Sequence, residues 1–228
     1  EEVYYAGQLN LTGKFNTGKL EHTLLAGLDA DRYFTTNFAY NQPLFYDTIN
    51  VLDPGKFKQR TDMPAAEKIR MVETPANRIG AYVQDLIKIT PKLNVLAGLR
   101  WSYLETLGAV TTSLTDGKAT TGATKKDAAI SPRLGLVYKP TEKTSLFVSY
   151  ANSFNVNTGL DVDSNTLKPS IIDQYEAGIK NDFFNGLLSA NLTVYRIVNN
   201  NLAQTAPFLK DGVTPNNNTA LKALTGQT

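Results

Sequence analysis

The chain has no cysteine, one histidine (His22), one tryptophan and two methionines among 228 residues. Without thiols there is no disulfide framework, zinc finger, iron–sulfur site or cysteine nucleophile. One imidazole cannot build a multi-histidine metal site, and any Ser-His-Asp triad must use His22. An excess of one charge is also missing. The 23 Lys and Arg against 21 Asp and Glu leave +2, which is no electrostatic footprint for nucleic acid. No apolar run approaches the ~20 residues of a membrane helix. That leaves a β-barrel open, because barrel strands alternate lipid-facing and lumen-facing residues. The first residues, Glu1-Glu2-Val3-Tyr4-Tyr5, carry no start Met, basic region or apolar region of a signal. The expectation is a processed chain or an internal piece of a longer one.

What the chain does have is alternation with a period of two. Leu93, Val95, Ala97, Leu99, Trp101 and Tyr103 share one parity, while Asn94, Gly98, Arg100 and Ser102 share the other, with Leu96 the large apolar exception. This describes a strand with one apolar and one polar face. The pattern recurs at Leu9–Phe15, Leu20–Leu28, Ile79–Ile89 (broken by Asp85), Leu134–Tyr138, Leu146–Tyr150, Tyr175–Ile179 and Leu188–Val194, for eight predicted strands. Short turns fall at Asn16–Lys19, Thr90–Lys92, Thr141–Thr144 and Asn185–Gly186, with ordinary hairpin chemistry. Long connections cover Thr35–Ala76, Leu107–Ala128 and Asn157–Ser170, and an open tail follows from Ala206. Compact soluble domains use connections of about 4–6 residues. Short turns on one side and long loops on the other match an outer-membrane barrel.

The predicted fold is therefore all-β: an antiparallel transmembrane β-barrel segment of about eight strands in four hairpins, with short periplasmic turns and long extracellular loops. Unpaired backbone groups are costly in lipid, so the apolar parity should face lipid and the polar parity a wet or plugged lumen. Tyr33, Phe34, Trp101, Tyr103, Tyr150 and Phe154 at one set of strand ends, and Phe15, Tyr138, Phe183 and Phe184 at the other, suit two interfacial girdles. A soluble β-sandwich with core aromatics remains the alternative.

Three stretches carry a resemblance. They are Arg78–Asp85 with Leu96–Leu104, then Ser131–Pro140 with Ser145–Phe154, and then Leu167–Ser170 with Gln174–Lys180, Leu192–Ile197 and Asn199–Leu202. In order and spacing, over about Asn77–Gln204, they resemble the barrel of TonB-dependent siderophore receptors. Pro43–Asp47 through Asn50–Pro54 resembles a loop of hydroxamate-type receptors, which points to a ferric hydroxamate of the ferrichrome type. The resemblance implies a barrel of about 22 strands filled by an N-terminal plug. No plug, TonB-contacting box or closing aromatic strand is recognisable, so residues 1–228 read as one partial barrel domain of a larger receptor. The implied function is outer-membrane uptake of ferric siderophores, energised through TonB in the intact protein. The implied partners are the ferric siderophore as cargo, outer-membrane lipid, and the TonB complex through the plug. The implied location is the bacterial outer membrane. No resident cofactor, metal site or nucleic-acid partner is expected.

The candidate ligand-binding residues are Tyr40, Phe45 and Tyr46, which with Phe38 concentrate four aromatics near the start of the longest connection. They could wall a ferric siderophore, whose apolar arms need aromatic surfaces rather than protein ligands to iron, or pack on their own loop. His22 has two readings, a catalytic base of an outer-membrane hydrolase or an interfacial side chain near a short turn. No nucleophile elbow accompanies it, and no catalytic residue is predicted. A self-contained small barrel, structural or adhesive, is the other alternative. Asp161-Val-Asp163-Ser-Asn165 opens like a calcium loop but has Thr166 and Ile172 where Gly and Glu are required. Lys118, Lys125 and Lys126 could meet anionic lipid or stay solvated in a Thr-rich loop.

Overall fold

The computed structural model describes residues 1–41, 47–58, 61–62 and 65–225. Four long strands come first in chain order: β1 (Glu2–Thr17), β2 (Leu20–Asn41), β3 (Glu67–Thr90) and β4 (Leu93–Thr106). Two short strands follow, β5 (Val110–Ser113) and β6 (Ala119–Thr121), then β7 (Lys125–Tyr138), β8 (Thr144–Asn155), β9 (Ser170–Phe183) and β10 (Leu188–Asn200). The short β11 (Ala203–Thr205) and β12 (Lys222–Leu224) close the series. Single 3-10 turns lie at Pro54–Lys56 and Phe184–Gly186.

All eight predicted strands form and most run longer than their alternating segments. The predicted architecture, however, is corrected by the pairing. Among the described residues the strands number twelve, in two antiparallel sheets. Ten strands make one sheet along the path β1-β2-β3-β4-β7-β8-β9-β10, with β5 joined to β3 and β6 to β5, and β11 pairs with β12. The large sheet is open and does not close into a barrel: β1 and β10 are its two ends. Closure requires the first and last strands to hydrogen-bond at a fixed stagger. Alternation reports which face a residue takes and carries no information on that pairing.

The long connections are also corrected. β2 continues to Asn41 and β3 begins at Glu67, so the first connection is 42–66 rather than Thr35–Ala76. The second folds back as the β5–β6 hairpin, with Arg70↔Ser113 to Glu73↔Val110 in register on β3. These extensions escape period-two reading because neither parity is consistently apolar: on β2 Phe34, Phe38 and Tyr40 share theirs with Arg32 and Thr36, and on β3 Val72 and Ala76 share theirs with Lys68, Arg70 and Thr74. Ladder hydrogen bonds rather than burial of one face hold them.

By contacts the chain divides into two units. The first comprises Glu1–Tyr5, Arg32–Asn77 and Thr106–Thr124. In it Glu1 and Thr36 exchange backbone hydrogen bonds at 2.8 Å each way, and the Tyr4 ring meets Tyr33 edge-on at 6.3 Å. The second comprises Ala6–Asp31, Arg78–Glu105 and Lys125–Thr228. Its register puts Leu136, Val148, Ala177 and Val194 in one row across β7 to β10. Gly135, Ser149, Glu176 and Tyr195 form the adjacent row, on the opposite face. Val148 is 50% exposed, so the apolar row lies open. Leu167 (4% exposed) and Ala206 (2%) are the buried hydrophobic residues among those described, and neither lies in the large sheet. A sandwich buries its inner apolar face against a second sheet, so the sandwich alternative fails. The Gly18–Lys19 turn between β1 and β2 uses Gly18 at φ 61°, a conformation that a two-residue hairpin loop demands.

Candidate functional site

Phe45 and Tyr46 lie outside the described residues. Tyr40 sits on β2, not in a loop, and is exposed. Arg32, Phe34, Phe38 and Tyr40 share one parity of that strand. The Arg32 guanidinium carbon is 4.6 Å from the centre of the Phe34 ring, and the Lys68 ammonium is 3.8 Å from that of Phe38. Each cation is within the ~6 Å at which a ring quadrupole attracts it. The result is a row of rings carrying positive charge, able to meet apolar groups and anionic or amide oxygens together. Lys68 is thirty positions from Phe38 in sequence, and no local pattern announces their contact.

The second unit holds a polar groove that sequence reasoning missed. Arg100 on β4 reaches past β3 to Asp29 on β2, with Nη1 donating to Oδ2 at 2.7 Å and Nη2 to Oδ1 at 2.8 Å. It crosses at Gly80, where an added Cβ would overlap Arg100 Nη2. Tyr82 on β3 likewise crosses β2 at Gly27 to reach β1. Its hydroxyl donates to Asn10 Oδ1 and accepts from Gln8 Nε2 at 2.8 Å. Arg100 also lies 5.5 Å from the Tyr82 ring. Two glycines thus let long polar side chains span second-neighbour strands on one face. The adjoining groove, about 560 Å³, is lined by Gln8, Asp29, Tyr82, Arg100, Arg133 and Gln174. The available signal was glycine on the polar parity of the strands. Gly80→Ala is expected to destabilise the intact receptor by about 1–3 kcal/mol through overpacking. Gly13→Ala, where an added Cβ meets nothing within 4 Å, should stay within about 0.5 kcal/mol. Unfolding midpoints in detergent compare them, and equal shifts would refute the crossing argument.

His22 Nδ1 lies 2.6 Å from Asp85 Oδ2, and its ring stacks on Phe15 at 4.7 Å and 4°. Asp85, which looks like a defect in an apolar stripe, is the partner of the lone histidine. A triad would turn Nε2 toward a serine hydroxyl, but Nε2 is buried with no hydrogen-bond partner. The arrangement supplies no nucleophile and fits the interfacial reading.

The Asp161 stretch forms a tight turn in which Oδ1 accepts from the backbone N–H of Asp163 at 2.9 Å and of Asn165 at 2.8 Å. The Asn165 backbone bond is the main reason the Asp161 carboxyl is held below the usual carboxylate range. The cation beside Asp163 is Lys210, at 2.6 Å. The three loop lysines are engaged internally: Lys118 with Asp116 at 3.2 Å, Lys125 with Asp127 at 3.3 Å and Lys126 with Glu105 at 3.3 Å. No cluster of three or more metal-ligating side chains occurs among the described residues.

Strands with one open apolar face, one ion-paired polar face and long connections are the features to set beside known proteins. The family model described as TonB dependent receptor-like, beta-barrel, matches residues 2–226. The chain belongs to this family. The chain is 28% identical over 207 residues to the metal-pseudopaline receptor CntO of Pseudomonas aeruginosa, covering 88% of this chain and 28% of that protein. It is 28% identical over 176 residues to the ferrichrome outer membrane transporter/phage receptor of Escherichia coli K12, covering 75% of this chain and 22% of that protein. In fold it resembles the pyoverdine outer membrane receptor FpvA of P. aeruginosa PAO1, with a TM-score of 0.70, 21% identity, and coverage of 97% of this chain and 31% of FpvA. The chain therefore spans under a third of the length of these receptors. Membership of this family places the chain in the bacterial outer membrane, and the relatives it matches are receptors and transporters rather than enzymes.

Proposed function

We propose that the chain is one section of a longer TonB-dependent receptor that takes up ferric siderophores across the outer membrane. The observation that carries this reading is the family match over residues 2–226. The open apolar face and the ion-paired polar face described above agree with it. In the intact receptor the energy comes from the TonB complex through a plug domain, and the ferric chelate is cargo, held by aromatic and polar side chains. The relatives' names cover metal-pseudopaline, ferrichrome and pyoverdine, so they support a metal-chelate ligand without choosing one. The finer reading, a ferric hydroxamate, is supported by the resemblance of Pro43–Pro54 to a hydroxamate-receptor loop. Uptake of radiolabelled ferric hydroxamate and ferric catecholate by iron-starved cells tests both levels. Hydroxamate uptake requiring both the receptor gene and TonB is expected. Catecholate uptake alone would overturn the finer reading, and no receptor-dependent uptake of any ferric chelate would overturn the coarser one.

The ligand contacts proposed are Tyr40, Phe45 and Tyr46. An aromatic wall contributes ~0.5–1.5 kcal/mol per ring beyond area burial. The triple alanine variant should weaken binding by roughly 1.5–4.5 kcal/mol if the rings act independently, about ten-fold to a thousand-fold. Tyr40→Ala alone should cost about two- to twelve-fold. Equilibrium binding to whole cells measures this, and unchanged affinity at equal surface expression would move the site elsewhere.

A further inference from the structure

The buried hydrophobic residues of the second unit, Leu167 and Ala206, lie in two different connections: 156–169 between β8 and β9, and 201–225 after β10. The two are bonded to each other at several points. Lys222 N–H donates to Leu160 O at 2.8 Å, Leu160 and Leu221 form a parallel bridge, and Lys210 pairs with Asp163 at 2.6 Å. Beneath them lies Asn157, 7% exposed. Its carboxamide donates one hydrogen to Lys168 O at 2.7 Å and the other to Asn201 O at 2.6 Å. The first bond closes its own connection, and the second ties that connection to the start of the other. Its backbone carbonyl accepts from Lys125 Nζ at 2.7 Å, which brings in the start of β7. Ser170, 2% exposed, donates to Asn200 O at 3.1 Å beside it. Asn is suited to this place because its side-chain NH₂ offers two donors without charge. An aspartate in its place would offer none when ionised, and would add a second carboxylate near the Lys125–Asp127 pair.

We infer that connections 156–169 and 201–225 form one preassembled cap that opens as a unit, with the Asn157 carboxamide as its key. Backbone groups bonded across two segments lose their partners together, so neither segment can open alone without leaving polar groups unpaired in the other. A ligand or partner that touches either connection meets a surface already ordered, which removes the ordering cost of binding to a flexible loop. It also shifts both connections together. This goes beyond the transport reading and does not depend on which chelate is carried.

Native-state hydrogen exchange of the intact receptor in detergent tests it. Four reporters are available: Asp161 N–H, bonded to Asn165 O; Lys222 N–H, bonded to Leu160 O; Ala206 N–H, bonded to Leu221 O; and Leu209 N–H, bonded to Thr214 O. In the wild-type protein under rising urea, the four should converge on one opening isotherm. Asn157→Leu, close in size but without donors, should raise their exchange by a common factor of roughly 5- to 150-fold, as expected for two hydrogen bonds of ordinary worth. Lys210→Met, which removes an exposed pair only, should change it by no more than about five-fold and less than Asn157→Leu does. Separate isotherms for Asp161 and Ala206 in the wild type would overturn the inference even if Asn157→Leu failed to assemble. So would Lys210→Met acting as strongly as Asn157→Leu.

Discussion

Val148→Arg is expected to abolish assembly of the intact receptor in the outer membrane, while Ser149→Arg, one residue along, leaves it nearly normal. Both residues lie mid-strand on β8, with Val148 opposite Leu136 and Ala177 and Ser149 opposite Gly135 and Glu176. An arginine on a lipid-facing position near mid-bilayer costs about 2–4 kcal/mol. That is roughly 30- to 1000-fold in the folding equilibrium, a large part of the 5–15 kcal/mol or so that holds an ordinary domain together. At position 149 the same guanidinium would stand directly across from Glu176 on the polar row, where a carboxylate offsets its charge. Heat-modifiable mobility on gels and surface abundance would report both variants. Equal loss for the two, or for neither, would show that this face is not the one that meets lipid.

The chain produced by itself in aqueous buffer is expected to aggregate instead of remaining a monomer with a cooperative melt. All sixteen residues of β1 are exposed, including Leu9 at 70%, and on β10 Leu192 is 68% exposed. Each of these strands ends the large sheet, so each presents a long row of unpaired backbone groups beside apolar side chains. Edges of this kind pair with other chains unless they are covered or charged. Full hydrophobic burial, the usual offset to chain entropy, is limited among the described residues to Leu167 and Ala206 in the small cap. Size-exclusion chromatography and far-ultraviolet melting at micromolar concentration test this. A stable monomer in water with a sharp transition would contradict the assignment of the apolar face to lipid.

Much of the polar groove was half-visible in the sequence. Gly98, Arg100 and Ser102 declared the polar parity of β4, and that parity is where the groove lies. What could not be read was that Arg100 turns to Asp29, 71 positions away, or that Tyr82 reaches Gln8, 74 positions away. Each depends on a glycine lying between them in space rather than in sequence. The candidate ligand contacts divide in the same way. A cluster of aromatics was evident, but the placement of Phe38 and Tyr40 on a strand and the cations over Phe34 and Phe38 followed only from the extension of β2 and the approach of Lys68. Asp85 and His22 show the opposite error, two apparent defects in apolar stripes that answer each other across 63 positions.

The sequence by itself determined that the chain is all-β, where the alternating segments of its eight long strands fall and which side of each segment is apolar. Side chains on a strand alternate with a period of two, and solvent sorts them by face, so this information is local and is written residue by residue. Only the tertiary structure decided the strand order, the open sheet, the folding of β5 and β6 back onto β3, and the cap keyed by Asn157. Those depend on which backbone donors meet which acceptors over tens of residues. A hydrogen-bonded ladder accepts almost any side chain on its unburied positions, so no pattern in the sequence marks its partner.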